Sequence, residues 1–161
     1  MERNDDELAI RQLAAQYADS VNRRDAEGMA AVFTEDAVIE KPGHGDPVKG
    51  IEKILKRYKR LQRERDFLVQ MIHSGIVEID GLQAKARWWI SEVKNIRDSD
   101  TWIYMIGIYQ DNVVKLDSSW WFQKRSQTTI FEYQLKASEI TTSPLPDFLS
   151  LAQKSINGGL V

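Results

Sequence analysis

The chain has 161 residues, of which 42% are hydrophobic and 29% charged, with a formal net charge of −2; this composition is typical of one soluble globular domain. That charge excludes a general attraction to nucleic acid or anionic membrane, and no apolar run reaches membrane-spanning length. The chain has no cysteine and only two histidines, so it offers no disulfide or thiolate chemistry and few ligands for a metal site. We therefore expect no metal and no cofactor, and neither a nucleic acid nor a membrane as partner. Since no apolar signal segment is present, we expect a cytoplasmic location.

The N-terminal part of the chain predicts helices. Asp5 and Asp6 favour a helix start through capping and the helix dipole. Helical spacing follows in Ile10, Leu13, Ala14, Tyr17 and Val21. Asp25 is interpreted as the N-cap of a second, short helix that carries Met29, Ala30 and Phe33. After a short strand over 37–40 and a turn-rich segment over 41–47, apolar spacing from Ile51 to Leu61 predicts a third helix.

The remainder of the chain alternates like β-strands. Asp80-Gly81 indicates a hairpin between strands over 67–79 and 84–93. Two further strands are predicted over 102–109 and 119–133, separated by 111–118. Helices followed by a meander of long strands indicate an α+β fold with the helices packed on one curved sheet. We expect one domain over 1–142 and a tail over 143–161 that covers a pocket mouth or contacts a neighbouring subunit.

His73 is the first candidate for chemistry. Period-2 geometry along its strand places it on one face with Phe67, Val69, Met71, Val77 and Ile79. Since these neighbours are apolar, the imidazole is expected to point into the molecule, where it could act as an acid or base. The alternative is a histidine that is simply satisfied within the core.

Two more polar side chains project from apolar faces. Tyr17 lies on the first helix, and Glu92 follows Trp88 and Ile90 along its strand. If the strands pair across the Asp80-Gly81 turn, His73 and Glu92 can open into one cavity, where the three groups would suit proton transfer next to a carbonyl. The alternatives are a core tyrosine and a glutamate that reaches water at a strand end.

Tryptophan and basic residues give weaker signals. Some of the five tryptophans, Trp88 among them, would line the cavity and suit a flat ring, the alternative being core or subunit interface. Seven Lys or Arg side chains from Lys53 to Arg65 make the third helix basic, which we interpret as a solvated face. His44, in a loop between two glycines, is expected to be exposed.

Several segments carry a family resemblance. They are Tyr17-Ala-Asp-Ser-Val-Asn-Arg-Arg-Asp25, Val32-Phe-Thr-Glu-Asp-Ala-Val38, Lys49-Gly-Ile51 and Gly107-Ile-Tyr-Gln-Asp111, followed by Trp121 and Arg125. This pattern resembles the SnoaL-like branch of the nuclear-transport-factor-2-like superfamily. The resemblance implies a cone-shaped curved antiparallel β-sheet wrapped around N-terminal helices, with a deep apolar pocket. Members include scytalone dehydratase, bile acid 7α-dehydratase, ketosteroid isomerase, a dehydrochlorinase, polyketide cyclases and non-catalytic binders.

The resemblance also implies roles for individual residues. His73 falls at the catalytic histidine of the dehydratases, Tyr17 at a pocket tyrosine, and Glu92 near a catalytic aspartate. Asn22 replaces the aspartate that partners the histidine in several relatives, so it could orient the ring but could not carry charge. Lys41 replaces the catalytic aspartate of ketosteroid isomerase and could hold an anionic substrate at the rim, unless it is a solvated loop lysine. Arg125 is similar in place to a functional arginine of the dehydrochlorinase.

The leading hypothesis is a cofactor-independent lyase or isomerase that acts on a small hydrophobic cyclic or aromatic molecule. His73 would be general base and then acid, Tyr17 a hydroxyl donor, Glu92 the orienting carboxylate and Asn22 a hydrogen-bond partner. The replacements at Asn22 and Lys41 support a second hypothesis, a non-catalytic small-molecule-binding protein. A polyketide-cyclase-like enzyme is the third. We also expect a homo-oligomer, either a dimer or a trimer.

Overall fold

A computed structural model describes residues 2–142. Helices α1 (Glu2–Asn22) and α3 (Ile51–Arg63) pack against one sheet, and the short helix α2 (Ala26–Ala30) packs against both of them. Its strands are β1 (Phe33–Glu40), β2 (Val48–Lys49), β3 (Leu68–Asp80), β4 (Gln83–Asn95), β5 (Thr101–Leu116) and β6 (Ser119–Lys136), with a 3-10 turn at Ala137–Glu139. The strand order is β2-β1-β6-β5-β4-β3, and every neighbouring pair is antiparallel except β1 with β6, which is parallel. The predicted α+β fold with a curved sheet on N-terminal helices is confirmed.

Side chains with a capping role fix the junctions between the helices. Asp25 is the N-cap of α2, as predicted, and its carboxylate accepts a hydrogen bond from the Gly28 backbone N–H at 2.8 Å. Arg24, in a left-handed conformation with φ 57°, turns the chain between α1 and α2. Its guanidinium donates to the carbonyls of Gln62 and Arg65 at 2.5 and 2.8 Å, at the C-terminal end of α3. Positive charge is favourable there because the last carbonyls of a helix lack partners.

Three predicted boundaries are wrong. The first helix begins at Glu2, so Asp5 and Asp6 lie inside it and not at its start. Phe33 does not belong to the second helix but begins β1, where it is buried. The segment 111–116, predicted to separate two strands, continues β5, and only Asp117 and Ser118 form the turn. Both turn residues have positive φ, 47° and 67°, which matches the twist of a two-residue hairpin. The longer β5 places Asp111 and Val113 on the buried face.

The most consequential irregularity is a bulge in β3. Ile72 pairs with Ile90 and Gly75 pairs with Trp88, so His73 and Ser74 together lie opposite the single residue Trp89. An extra residue in one strand of a pair reverses which side chains face the core on either side of it. The inward residues of β3 are therefore Gln70 and Ile72 before the bulge, but Val77 and Ile79 after it.

The core lies between α1, α3 and the inner face of the sheet. It includes Ile10, Ile54, Ile90, Met105 and Phe122, each completely buried. The N-terminal end of α1 is tied to the far end of the sheet through Asp6, which accepts from Lys115 Nζ at 2.6 Å and from Trp120 Nε1 at 2.8 Å. Within residues 2–142 no helix is both long and apolar enough to cross a bilayer.

The opposite face of the sheet exposes large apolar side chains. Met71, Trp89, Phe131 and Tyr133 are each between 44% and 53% exposed. A homo-oligomer would cover such a face, and the predicted dimer or trimer stays a prediction. The predicted role of the tail over 143–161 lies outside the described residues.

Candidate functional site

A cavity of about 150 Å³ lies between the inner face of the sheet and the helices. Apolar side chains from α1, α3 and the adjoining strands form part of its wall, including Val21, Leu61 and Leu68. Polar groups converge on it from five elements: Tyr17 from α1, Gln70 from β3, Glu92 from β4, Tyr109 from β5 and Arg125 from β6. Small-molecule sites are usually concave and orient their ligand through convergent polar groups, and this cavity has an unusually polar lining for such a site.

Arg125 forms the charged inner end of the cavity. Its Nε and Nη2 donate to the two carboxylate oxygens of Asp111 at 2.8 and 2.7 Å, and Trp88 Nε1 donates to Asp111 Oδ2 at 3.0 Å. The guanidinium also lies over the rings of Phe122, Tyr109 and Tyr17, at 4.1, 4.2 and 4.3 Å from their centroids. Burial alone would lower the pKa of Arg125, but the Asp111 carboxylate outweighs this, so its pKa lies above the ordinary value.

One nitrogen of this guanidinium is unused. Arg125 Nη1 is buried and has no hydrogen-bond partner among residues 2–142. Gln70 Oε1, also buried and part of the same cavity, lacks a partner too. Since a buried polar atom without a partner costs free energy, these two atoms are places where a bound molecule would be stabilised.

Glu92 is held by neighbours on two strands. Lys94 Nζ lies 2.5 Å from Glu92 Oε1, and Gln70 Nε2 donates to Oε2 at 3.1 Å and to the Tyr109 hydroxyl at 2.8 Å. Both side chains of the ion pair are about 10% exposed. Glu92 is thus a buried, oriented carboxylate inside the cavity, as predicted for its strand face, and its neighbour Lys94 continues the same inward alternation.

Three tyrosines surround these charges. Burial raises the pKa of Tyr58 well above its ordinary value, and the adjacent Tyr17 adds to the shift. Burial likewise raises the pKa of Tyr109 well above its ordinary value. The hydroxyls of Tyr58 and Tyr109 therefore remain protonated at neutral pH and can act as hydrogen-bond donors. Tyr17 meets Tyr58 and Tyr109 edge to face, with ring centroids 6.2 and 6.0 Å apart.

His73 does not line this cavity, and the expectation that it points into the apolar interior is wrong. It is exposed, and its Nε2 hydrogen bonds with Ser91 Oγ at 2.8 Å, on the side of β4 opposite to Glu92. The bulge explains this outcome, because the predicted face joined residues from before and after the change of alternation. The strands do pair across Asp80-Gly81 as predicted, but His73 and Glu92 do not open into one cavity.

His73 instead borders a second concavity between α1 and β3, which we call the α1–β3 groove. Its lining comprises Arg11, Ala15, Ala18, Asp19, Asn22, Ile72, His73 and Trp88. Asn22 forms no hydrogen bond with the imidazole. Its side-chain oxygen accepts from the Gln70 backbone N–H at 2.7 Å, and its side-chain nitrogen donates to the Gln70 carbonyl at 2.9 Å. Trp88, predicted to line the substrate cavity, lies in this groove and is fixed by Asp111.

The cavity lining includes four of the predicted site residues, Tyr17, Lys41, Glu92 and Arg125. It also includes the exposed loop residue His44. Within the basic stretch interpreted as a solvated face, Arg57 and Arg65 are partly exposed and also line the cavity. The residues missed from sequence are Gln70, Tyr58, Lys94, Tyr109 and Asp111. Continuing the alternation of β4 to Lys94 and of β5 to Asp111 would have found two of them.

Within residues 2–142 no group of three or more His, Cys, Asp or Glu side chains is arranged to hold a metal ion. The fold is an α+β structure in which a curved sheet and the helices enclose this cavity. A model of the SnoaL-like domain matches residues 2–126, and the chain belongs to this family.

Solved structures share the fold. A protein described as a scytalone dehydratase from Novosphingobium aromaticivorans has a TM-score of 0.75 at 18% identity, covering 81% of this chain and 88% of its own. A hexachlorocyclohexane dehydrochlorinase from Novosphingobium barchaimii has a TM-score of 0.79 at 18% identity, covering 89% and 97%. A protein of unknown function from Mycobacterium tuberculosis has a TM-score of 0.67 at 25% identity, covering 77% and 76%. No curated protein matches the chain.

Proposed function

We propose that the protein is a cofactor-independent lyase or isomerase that moves a proton on a small hydrophobic cyclic molecule bound in the cavity. The observation that carries the proposal is the Glu92 carboxylate, which is 8% exposed and lines the cavity. The other cavity carboxylates, Glu40 and Asp46, are more exposed. A buried, oriented carboxylate beside hydroxyl and guanidinium donors suits proton abstraction next to a carbonyl.

The cavity groups divide the chemistry as follows. Glu92 takes a proton from the carbon next to a substrate carbonyl, while Lys94 and Gln70 hold the carboxylate in place. Arg125 Nη1, the unpaired donor, receives the carbonyl oxygen as it gains negative charge, with the Tyr17 hydroxyl as a second donor. Returning the proton to a leaving hydroxyl gives water and a conjugated ketone, and returning it to another carbon gives an isomer. Neither outcome requires a cofactor.

In this proposal Glu92 replaces His73 as the group that transfers the proton. His73 keeps the role predicted from the resemblance only if the substrate occupies the α1–β3 groove. The fold of a dehydratase and of a dehydrochlorinase, both enzymes of elimination by name, supports a lyase. At such low identities this support concerns the class of reaction and not the substrate.

The test uses cyclic β-hydroxyketones, whose dehydration to conjugated enones is followed by ultraviolet absorbance. For a turned-over substrate, Glu92→Gln should lower kcat by about 10²–10⁴-fold, the usual contribution of a general base. His73→Ala is the matched control and should retain turnover. Because Glu92→Gln leaves Lys94 without its partner, Glu92→Gln with Lys94→Gln is tested in parallel and thermal melting verifies folding. A folded Glu92→Gln variant with unchanged turnover would show that Glu92 is not the base.

A non-catalytic binding protein is the second candidate. It is favoured by the engagement of both Glu92 oxygens, by Lys94 and by Gln70, while Arg125 Nη1 and Gln70 Oε1 stay available to a ligand. In that case ligands bind but are not converted to products, and Glu92→Gln should change their affinity only slightly. The third hypothesis, a polyketide-cyclase-like enzyme, stays a prediction.

A further inference from the structure

The charges around the cavity are unbalanced. Six Lys or Arg side chains line it but only three Asp or Glu side chains, whereas the whole chain has a net charge of −2. The cavity is therefore a local concentration of positive charge on a mildly acidic protein. Concave sites lined by one sign of charge attract ligands of the opposite sign.

Part of this charge is already neutralised within the protein. Arg125 pairs with Asp111, Lys94 with Glu92, and the cavity residue Glu40 with Lys124. Arg24 donates to the two carbonyls at the end of α3. These contacts balance the charges at the inner end and along one wall of the cavity without a ligand.

Three cations are left. Lys41, Arg57 and Arg65 line the cavity, are partly exposed, and form no ion pair among residues 2–142. The exposed residues His44 and Asp46 belong to the same lining and mark where the cavity opens to solvent. We call Lys41, Arg57 and Arg65 the cationic rim.

The cations of the rim affect one another. Burial lowers the pKa of Lys41, and the positive charges of Lys94 and Arg65 lower it further, outweighing the opposing effect of Glu132 and Glu92. Holding a lysine among other cations is unfavourable in the empty protein. An anion bound at the rim would relieve this repulsion, so the rim is better suited to a ligand than to solvent.

The inner end has a complementary deficit. Arg125 Nη1 and Gln70 Oε1 are buried without partners, and apolar side chains such as Val21, Leu61 and Leu68 lie in the lining between the two ends. A molecule with an anionic group at one end, an apolar ring and an uncharged polar group at the other would satisfy all three parts.

We propose that the natural ligand is an amphipathic organic anion, a ring-containing carboxylic acid whose carboxylate binds the cationic rim while its uncharged polar end reaches Arg125 and Gln70. This inference rests on the proposed function for the reacting end and adds the substrate class. It assigns to Arg57 and Arg65 a binding role that the sequence pattern of a solvated helix does not indicate.

The probes are two acids and their neutral isosteres, benzoate with benzamide and 3-phenylpropionate with its amide. One aromatic ring is the right size, since a cavity of about 150 Å³ is known to hold benzene. Isothermal titration calorimetry of the full chain at low ionic strength should give each acid about tenfold tighter binding than its amide, as expected from a few partly exposed ion pairs. Raising the salt concentration should reduce that preference.

Variants connect the preference to the rim. Lys41→Gln, Arg57→Gln and Arg65→Gln should each reduce the ratio of acid to amide affinity about twofold to fivefold, and the triple variant should bring it close to one. Since none of the three has an ion-pair partner among the described residues, removing their charge should not prevent folding. The matched control is Lys56→Gln, an exposed α3 lysine outside the cavity lining, which should leave the ratio unchanged.

Equal binding of acid and amide would overturn the proposal, and so would the absence of saturable binding of either acid up to about 10 mM. A preference for the acid that Lys56→Gln reduces as strongly as the rim variants do would also overturn it. The failures are separable. Enone formation that depends on Glu92 without an acid preference refutes only the substrate class, whereas a rim-dependent acid preference without any turnover refutes only the proposed chemistry.

Discussion

The cavity and the α1–β3 groove lie on two sides of the same helix, and they differ in how their polar groups are held. In the cavity, Glu92 and Arg125 are almost completely buried, and each is fixed by a charged partner. In the groove, His73 is exposed and its ring has one neutral partner, Ser91. Along β3, the position of a side chain relative to the bulge decides whether it faces the cavity, as Gln70 does, or the groove, as His73 does.

The same comparison explains Asn22. Its amide pairs with the backbone of Gln70 at the edge strand, so it attaches α1 to β3 just where the cavity and the groove separate. An asparagine can satisfy a backbone N–H and a C=O together, which an aspartate cannot. The residue thus has a structural contact that accounts for its amide without any imidazole partner.

The largest expected effect is in the cavity. Asp111→Ala removes the partner of Arg125 and the acceptor of the Trp88 indole, leaving a buried charge uncompensated. We expect a loss of about 3–5 kcal/mol in the free energy of unfolding, measured by urea denaturation. The control is Asp66→Ala, which breaks the exposed pair with Arg97 and should cost at most about 1 kcal/mol. Similar losses in the two variants would contradict the difference between buried and exposed pairs.

A smaller effect is expected at the bulge. A Cβ added at Gly75 would overlap the Trp88 ring and lie 2.6 Å from the Arg87 carbonyl oxygen. Trp88 is buried and hydrogen bonded to Asp111, so it cannot move freely away. Gly75→Ala should therefore lower the unfolding free energy by about 1–3 kcal/mol, as overpacked positions do.

Ser74→Ala, at the exposed neighbouring residue, is the control for that change and should remain within about 0.5 kcal/mol of the parent. If Gly75→Ala proves as harmless as Ser74→Ala, the close approach of β3 to Trp88 does not exist in solution. The bulge and the separation of His73 from the cavity would then need revision.

Much of the fold could be predicted from local patterns. Helical spacing around Tyr17, the Asp25 cap and the Asp80-Gly81 turn each rest on interactions within a few residues, and all three are present. The alternation of β4 also placed Glu92 on the buried face, because the extra residue at the bulge belongs to β3 and not to β4. Alternation along a strand therefore predicts its buried face as long as that strand contains no extra residue.

The site could be predicted only in part, for a non-local reason. A bulge is determined by the pairing of two strands, so the residue types of His73 and Ser74 do not indicate it. Gly75 was the available signal, since a glycine inside a strand pattern often marks a bulge or a close approach of backbone. The pairing of Arg125 with Asp111 depends on the register of β5 with β6, which the sequence of neither strand specifies alone.

The smallest effect concerns pH and compares the two regions directly. The depressed pKa of Lys41 means that this lysine loses its charge at a lower pH than the ordinary 10.5. Lys41 is charged below that pKa and neutral above it, so benzoate affinity should fall about twofold to fivefold as pH rises through the pKa of Lys41. Lys41→Arg should remove the decline, because arginine stays protonated throughout.

His73→Ala tests the other side of the comparison in the same titration. Because His73 lies in the groove, the variant should reproduce the parent profile of benzoate affinity against pH. A decline in benzoate affinity near pH 6–7 that disappears in His73→Ala would mean that the imidazole controls the cavity after all, since histidine is the side chain that ordinarily titrates there. A dependence of benzoate affinity on pH that is the same in His73→Ala and in the parent would show that the groove does not affect binding in the cavity.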